Sequence, residues 1–228
     1  MKFFVVSLIG LAAVGSAYAG APYLTDDPEP VEFHHVEIYV SSLLFHDEDG
    51  TAGNFGAVEV NYGPAKNLQL HIIAPMALSA PRGAARSVGY GDTELGVKYR
   101  FVDETDDHPQ AAIYPTIELP TGNTDRGLGN GKTEFFLPLW LQKSFGTWTT
   151  YGGGGYWFHP GEGNRDFWVA GILLQKQVTK TLSIGAEVFH EAAQTDGGRS
   201  DTRINLGTVW DLSDRYHVLA SAGPIVQG

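Results

Sequence analysis

The chain of 228 residues contains no cysteine. Neither a disulfide framework nor a thiolate metal site can therefore hold it together. Positive charge is also scarce. Fifteen Lys and Arg stand against 26 Asp and Glu, a formal net charge of −11. Such a surface repels phosphates, which excludes general nucleic-acid binding. Long apolar runs are missing after the first fourteen residues, so the rest of the chain offers no helix of the ~20 apolar residues that would span a bilayer. Charged residues make up only 18% and hydrophobic ones 43%, which excludes a polar disordered tract.

The first segment has the pattern of an export leader. Lys2 supplies a short positive start, and Phe3 to Val14 is apolar apart from Ser7 and Gly10. Ala17-Tyr18-Ala19 fits the small-x-small cleavage pattern, which predicts cleavage after Ala19. The apolar run is too short for a membrane anchor.

The remainder alternates with period two. In Thr93–Phe101 one face carries Thr93, Leu95, Val97, Tyr99 and Phe101, and the other Glu94, Gly96, Lys98 and Arg100. A helix would scatter these charges, whereas a strand gathers them on one side. The same reading recurs along the chain and predicts eleven strands: about 31–45, 54–62, 68–78, 90–101, 109–119, 132–143, 147–158, 167–178, 182–191, 202–212 and 216–223. The predicted connections run alternately long (46–53, 79–89, 120–131, 159–166, 192–201) and short (63–67, 102–108, 144–146, 179–181, 213–215). Outer-membrane barrels sort their loops in this way, and a Greek-key sandwich has no reason to.

Twenty-nine glycines and 12% aromatics suit tight turns and interfacial girdles. Tyr62, Tyr99, Phe101, Phe145, Trp148, Trp210 and Tyr216, with Phe33, fall beside short turns. Phe45, Phe55, Tyr90, Trp157, Phe158, Phe167 and Trp168 fall beside long ones. Two belts at opposite strand ends match two membrane interfaces. The expected fold is thus all-β: an antiparallel up-and-down transmembrane β-barrel. Single-chain bacterial barrels have even strand numbers, so eleven legible strands imply about twelve in the complete protein, with a C-terminal strand lacking. The expected organisation is a leader over 1–19, a tail or plug over 20–30, and the barrel over 31–228.

Three stretches resemble a known family: Gly89-Tyr90-Gly91-Asp92-Thr93-Glu94-Leu95-Gly96-Val97-Lys98-Tyr99-Arg100-Phe101, Leu24-Thr25-Asp26-Asp27-Pro28, and Phe167-Trp168-Val169-Ala170-Gly171 leading to Leu182–Glu187. Together they resemble the outer-membrane proteins labelled "putative meta-pathway of phenol degradation", also described as transporters. The resemblance implies an outer-membrane barrel serving as an uptake route for aromatic or other hydrophobic compounds. It carries no catalytic motif, and the lacking last strand departs from the family's expected end.

The inward side of the predicted strands carries Glu37, Glu59, Glu94, Lys98, Arg100, Tyr114, Glu118, Glu134, Trp140, Glu187 and Arg203, with Asp92 and Asp211. Carboxylates outnumber cations there, so a water-filled pore would favour cations. The alternative is a network of ion pairs bracing a closed barrel. Tyr114, Phe136 and Trp140 would suit stacking against an aromatic or sugar-like solute, or simply packing. Pro22, Pro28 and Pro30 keep residues 20–30 out of a central strand; the segment is either a periplasmic tail, the simpler reading, or a plug in the lumen. The glycine run 152–155 would let a strand bend or leave room for that plug.

No serine sits in a Gly-x-Ser-x-Gly elbow, and His190-Glu191 lacks the second histidine of a zinc helix motif. Catalytic, cofactor and metal residues are therefore not expected. The functional reading is an outer-membrane channel for small solutes, a porin or transporter, in a Gram-negative bacterium. A non-conducting structural barrel and a lipid hydrolase are the alternatives. The expected partners are outer-membrane lipid or lipopolysaccharide and a small-molecule solute. The sequence does not fix the oligomeric state.

Overall fold

A computed structural model of the protein describes residues 3–13 and 22–227. The expected cleavage position after Ala19 lies outside the described residues. Fifteen strand segments form one sheet. In chain order they are β1 (Phe3–Ala13), β2 (Val36–His46), β3 (Gly50–Ala65), β4 (Leu68–Ala74), β5 (Met76–Pro81), β6 (Ser87–Tyr90), β7 (Thr93–Val102) and β8 (Gln110–Ile113). They continue with β9 (Thr116–Leu119), β10 (Glu134–Phe145), β11 (Trp148–Phe158), β12 (Phe167–Thr179), β13 (Leu182–Glu191), β14 (Asp201–Asp211) and β15 (Tyr216–Gln227). A 3-10 turn, Thr124–Arg126, lies in the loop before β10.

Three breaks divide single staves in two. Pro75 stands between β4 and β5, Gly91-Asp92 between β6 and β7, and Tyr114-Pro115 between β8 and β9. The two prolines cannot donate to a ladder. Joined across these breaks, the fifteen segments make twelve staves. Each stave from β2 to β15 pairs antiparallel with its neighbour in sequence, the up-and-down pattern. β1 pairs with β15 on one side and β2 on the other, so the path of hydrogen-bonded neighbours returns on itself. The ring closes and the sheet keeps no open edge there.

The twelve staves agree with the expected number, and only the segment that fills the last place differs. The twelfth position, expected to be vacant, is taken by Phe3–Ala13 between β2 and β15. Period-two reading needs polar–apolar contrast, and this segment has almost none. The strand before Val36 is also shorter than expected, because residues 32–35 form a turn in which His34 takes a left-handed φ of 64°. Conversely β3 starts at Gly50 and β5 runs to Pro81, so the first two long loops shrink to short hairpin ends. The polar, glycine-rich sequence there reads as loop, yet pairs as strand beyond the apolar part of the wall.

The wall is inverted relative to a soluble protein. Leu70, Ile72, Leu95, Val97, Leu137, Leu139, Ile172, Leu174, Ile184, Val188, Ile204 and Leu206 are all exposed on the outside, Leu206 to 68%. Their strand neighbours on the inside are buried polar groups such as Gln69, His71, Lys98, Glu187 and Asn205. Aromatics flank the apolar band at both ends. Phe33, Tyr62, Tyr99, Phe101, Phe145, Trp148, Trp210 and Tyr216 are exposed near short turns, and Phe55, Tyr90, Phe158 and Trp168 near the other end. Phe45, Trp157 and Phe167 leave the expected outer belt. Their positions in the alternation turn them inward, beside the exposed Phe158 and Trp168. Among the described residues no helix is long and apolar enough to cross a membrane.

Candidate functional site

Pleating puts alternate residues on opposite faces, and the exposed hydrophobics mark the outside. The eleven candidate residues all project to the other side. Glu37, Lys98, Tyr114, Glu134, Trp140, Glu187 and Arg203 are buried, and Glu59, Glu94, Arg100 and Glu118 are half-buried. They do not gather at one point but form separate groups around the ring.

One group is carried by β3, β4 and β7. His71 bonds Glu94 through Nε2 at 2.9 Å and approaches Glu59 through Nδ1 at 3.4 Å. Asn61 donates to Glu59 at 2.7 Å and accepts from Gln69 at 2.9 Å. A second group joins β13 and β14, where Glu187 accepts from the Asn205 amide at 2.6 Å. Towards the long-loop end Arg203 forks onto Glu191 at 2.9 and 3.2 Å and lies over the Phe45 ring at 4.7 Å. Glu94, Glu118 and Glu134 are directly opposite one another across β7, β9 and β10. Like charges in such register repel. Glu94 is relieved by His71, and Glu134 by His159 at 3.3 Å and Asn130 at 2.6 Å.

Residues 22–31 cross the space inside the ring. Pro22 accepts a hydrogen bond from Ser221 on β15. The backbone N–H groups of Leu24 and Thr25 both donate to the Glu187 carboxylate. On the opposite wall Lys98 of β7 holds Asp26 at 3.1 Å and Asp27 at 3.7 Å, its ammonium also 4.8 Å above the Tyr114 ring. Val31 then donates to Gln69 of β4 at 2.9 Å. Tyr23, Thr25, Asp27 and Val31 are buried among these partners. Burial pushes the Asp27 carboxyl up to about 7 against the opposing pull of Lys98.

The glycines that make room for this segment are not the run at 152–155. A Cβ on Gly171 would strike Thr25, and one on Gly185 or Gly207 would strike the Tyr23 ring or hydroxyl. Gly153 and Gly155 instead face Trp140 and Phe136, so that run accommodates inward aromatics.

Open space remains at both ends of the ring. A cavity of about 660 Å³ lies at the long-loop end, bordered by Phe45, Glu118, Asn130, Glu191 and Arg203. The loop over 120–131 folds across it. Asp92 accepts from the Gly122 N–H at 2.8 Å and the Asn130 N–H at 2.6 Å, and Leu128 is buried. Nearby, Phe136, Trp157 and Phe167 stack in sequence, with centroids 4.6 and 6.1 Å apart and planes tilted by only 12° and 13°. The other cavity, about 270 Å³, lies at the short-turn end between residues 27–29 and the walls of β10 to β15.

Asn61, Gln69, Ser183 and Asn205 fall on the polar phase of their strands in the sequence but outside the candidate group, and they too are buried on the inner side. Sequence reading missed which aromatics stack, because partners on different staves depend on register.

No protein-family model and no curated protein matches the chain. Among solved structures it is similar to an outer membrane channel from Pseudomonas putida F1, with a TM-score of 0.52 and 14% sequence identity. The match covers 99% of this chain and 95% of that one. At this identity the likeness is one of fold, and it extends over the whole barrel. The protein it resembles is an outer membrane channel.

Proposed function

We propose that the protein spans the outer membrane of a Gram-negative cell as a channel for small solutes. The observation that carries this reading is the closed ring with an apolar exterior and a polar, ion-paired interior. Only a closed barrel or a helix satisfies its backbone in lipid, and a water-soluble protein rarely presents a contiguous band of exposed Leu, Ile and Val such as the one that runs from Leu70 to Leu206 around this wall. Reconstitution of the refolded chain in planar bilayers tests it. Stepwise single-channel currents are expected, and an inserted but silent barrel would favour a purely structural role.

Residues 20–30 act in this proposal as a plug. The bonds of Leu24 to Glu187 and Asp26 to Lys98, with that of the adjoining Val31 to Gln69, tie the segment to facing walls of the ring. Replacing Glu187 with Gln removes the charge that accepts two backbone N–H groups, a loss of about 1–3 kcal/mol, and should raise the open fraction. Residues 1–19 act in this proposal as an export leader, and once it is removed the place that Phe3–Ala13 holds between β2 and β15 is taken by another strand. Sequencing of the membrane-extracted protein should begin at Gly20; a start at Met1 would make β1 a permanent stave instead.

The solute we infer is aromatic or hydrophobic. The inward Phe136–Trp157–Phe167 stack supports this, as does the resemblance to the phenol-pathway proteins. Liposome-swelling rates for phenols against sugars of similar size test it, and faster uptake of the sugars would overturn it. Exposed loop carboxylates such as Glu48 and Asp49 would meet lipopolysaccharide. No catalytic step is assigned, because the described histidine side-chain bonds go to carboxylates, amides, threonines and one backbone carbonyl rather than to serine.

A further inference from the structure

The short-turn cavity differs in chemistry from the aromatic stack. Four adjacent staves, β10 to β13, present their polar inner residues to it as cross-strand pairs. Gln142 lies opposite Tyr151, Thr149 opposite Gln175, and Gln177 opposite Ser183. Among the described residues none of these six side chains has a hydrogen-bond partner in the protein. Tyr151 and Ser183 are otherwise buried, at 6% and 7% exposure, and their hydroxyls open only onto the cavity without a protein partner. Buried polar groups are ordinarily paired. A wall of amides and hydroxyls left open in this way is poised for a ligand with many donors and acceptors.

The facing side adds a sign. Among the described residues Asp27, Glu29 and Asp211 line the cavity, and no Lys or Arg does. His217 is the one lining group able to carry positive charge, and its Nδ1 is occupied by Asp211 at 2.7 Å. Lys98 and Arg100 reach Asp27 and Glu29 from outside the lining, at 3.7 and 4.0 Å. A volume of about 270 Å³ holds roughly nine waters at ~30 Å³ each, the size class of a monosaccharide.

We propose that this cavity is a binding subsite for a hydroxyl-rich cation of monosaccharide size, with Gln142, Thr149, Tyr151, Gln175 and Ser183 reading its hydroxyls and Glu29 and Asp211 its positive charge. The site lies on the inner side of residues 27–29, where a solute would pause between the plug and the short-turn mouth. The inference rests on the channel reading for access to the site, but binding is measured without it.

The test is calorimetric titration of the refolded full chain in detergent with glucosamine, glucose and gluconate at neutral pH. Glucosamine should bind best, glucose more weakly and gluconate not detectably. Tyr151→Phe, which keeps the ring, and Ser183→Ala should each weaken glucosamine binding by about 3- to 10-fold, one hydrogen bond's worth. Near-ultraviolet circular dichroism identifies any variant that misfolds, and the other then decides. Gluconate binding as well as glucosamine, or unchanged affinity in the folded variants, overturns the subsite. Conductance without glucosamine binding sinks this inference alone, and binding by a non-conducting barrel sinks the channel reading alone.

Discussion

At Gly185 the Tyr23 hydroxyl stands 2.6 Å from where a Cβ would sit, and at Gly171 the Thr25 hydroxyl is closer still. Backbone position leaves little room to relax at either site, since both glycines lie mid-ladder in β12 and β13. Gly185→Val should therefore expel Tyr23 while the barrel remains closed, and raise the mean single-channel conductance. An unchanged conductance would show that the segment does not obstruct the path. Asp27 offers a second residue-scale test. Its folded value of about 7 exceeds the ordinary value of 3.8, because burial disfavours the charge. An acid shifted upward stabilises the docked segment fully at low pH, and that contribution fades as pH rises from about 4 to about 7. The facing groups are Lys98, Asp26 and Glu29. Open probability should rise between about pH 4 and about pH 7 and level off above that, and Asp27→Asn should flatten the rise.

Among the strands, the two faces of one stave should answer differently to the same change. Leu139 lies mid-way along β10 and 44% exposed on the outer side. Leu139→Arg should destabilise the bilayer-inserted protein by about 2–4 kcal/mol. The neighbouring Trp140→Arg, on the inner side, should be read in conductance and ion selectivity as well. Urea unfolding in vesicles measures the first, and a loss below 1 kcal/mol would argue that this face does not meet lipid. The loop over 120–131 is tied down at Asp92. Asp92→Ala leaves the N–H groups of Gly122 and Asn130 without that acceptor, and should increase protease cleavage in the loop while leaving β7 intact.

For the whole molecule, the charge balance sets permeation. The net charge is −11, and Glu94, Glu118 and Glu134 stand in one row across three strands. Lys98 and Arg203, the buried inner cations, are engaged by Asp26, Asp27 and Glu191. Reversal potentials across a salt gradient should show cation preference at low salt. The preference should shrink towards 1 M, where the screening length falls to ~3 Å. Anion preference would contradict the field drawn from these carboxylates.

What the sequence determined by itself was the alternation, and with it the faces. Every candidate inner residue from Glu37 to Arg203 is legible because a strand's period is two and the polar phase is consistent. The same rule was blind to Phe3–Ala13, where both phases are apolar, and to Gly50–Gly53, where loop-like residues pair beyond the apolar band. Register, ring closure and the path of residues 22–31 were decided only by tertiary structure. Glu187 meets the backbone of Leu24 and Thr25 across more than 160 residues of chain, and the stacking of Phe136 on Trp157 depends on which residues β10 and β11 bring opposite. Local pattern fixes which side of a strand a residue faces, whereas its partners inside a ring depend on how all the staves align at once.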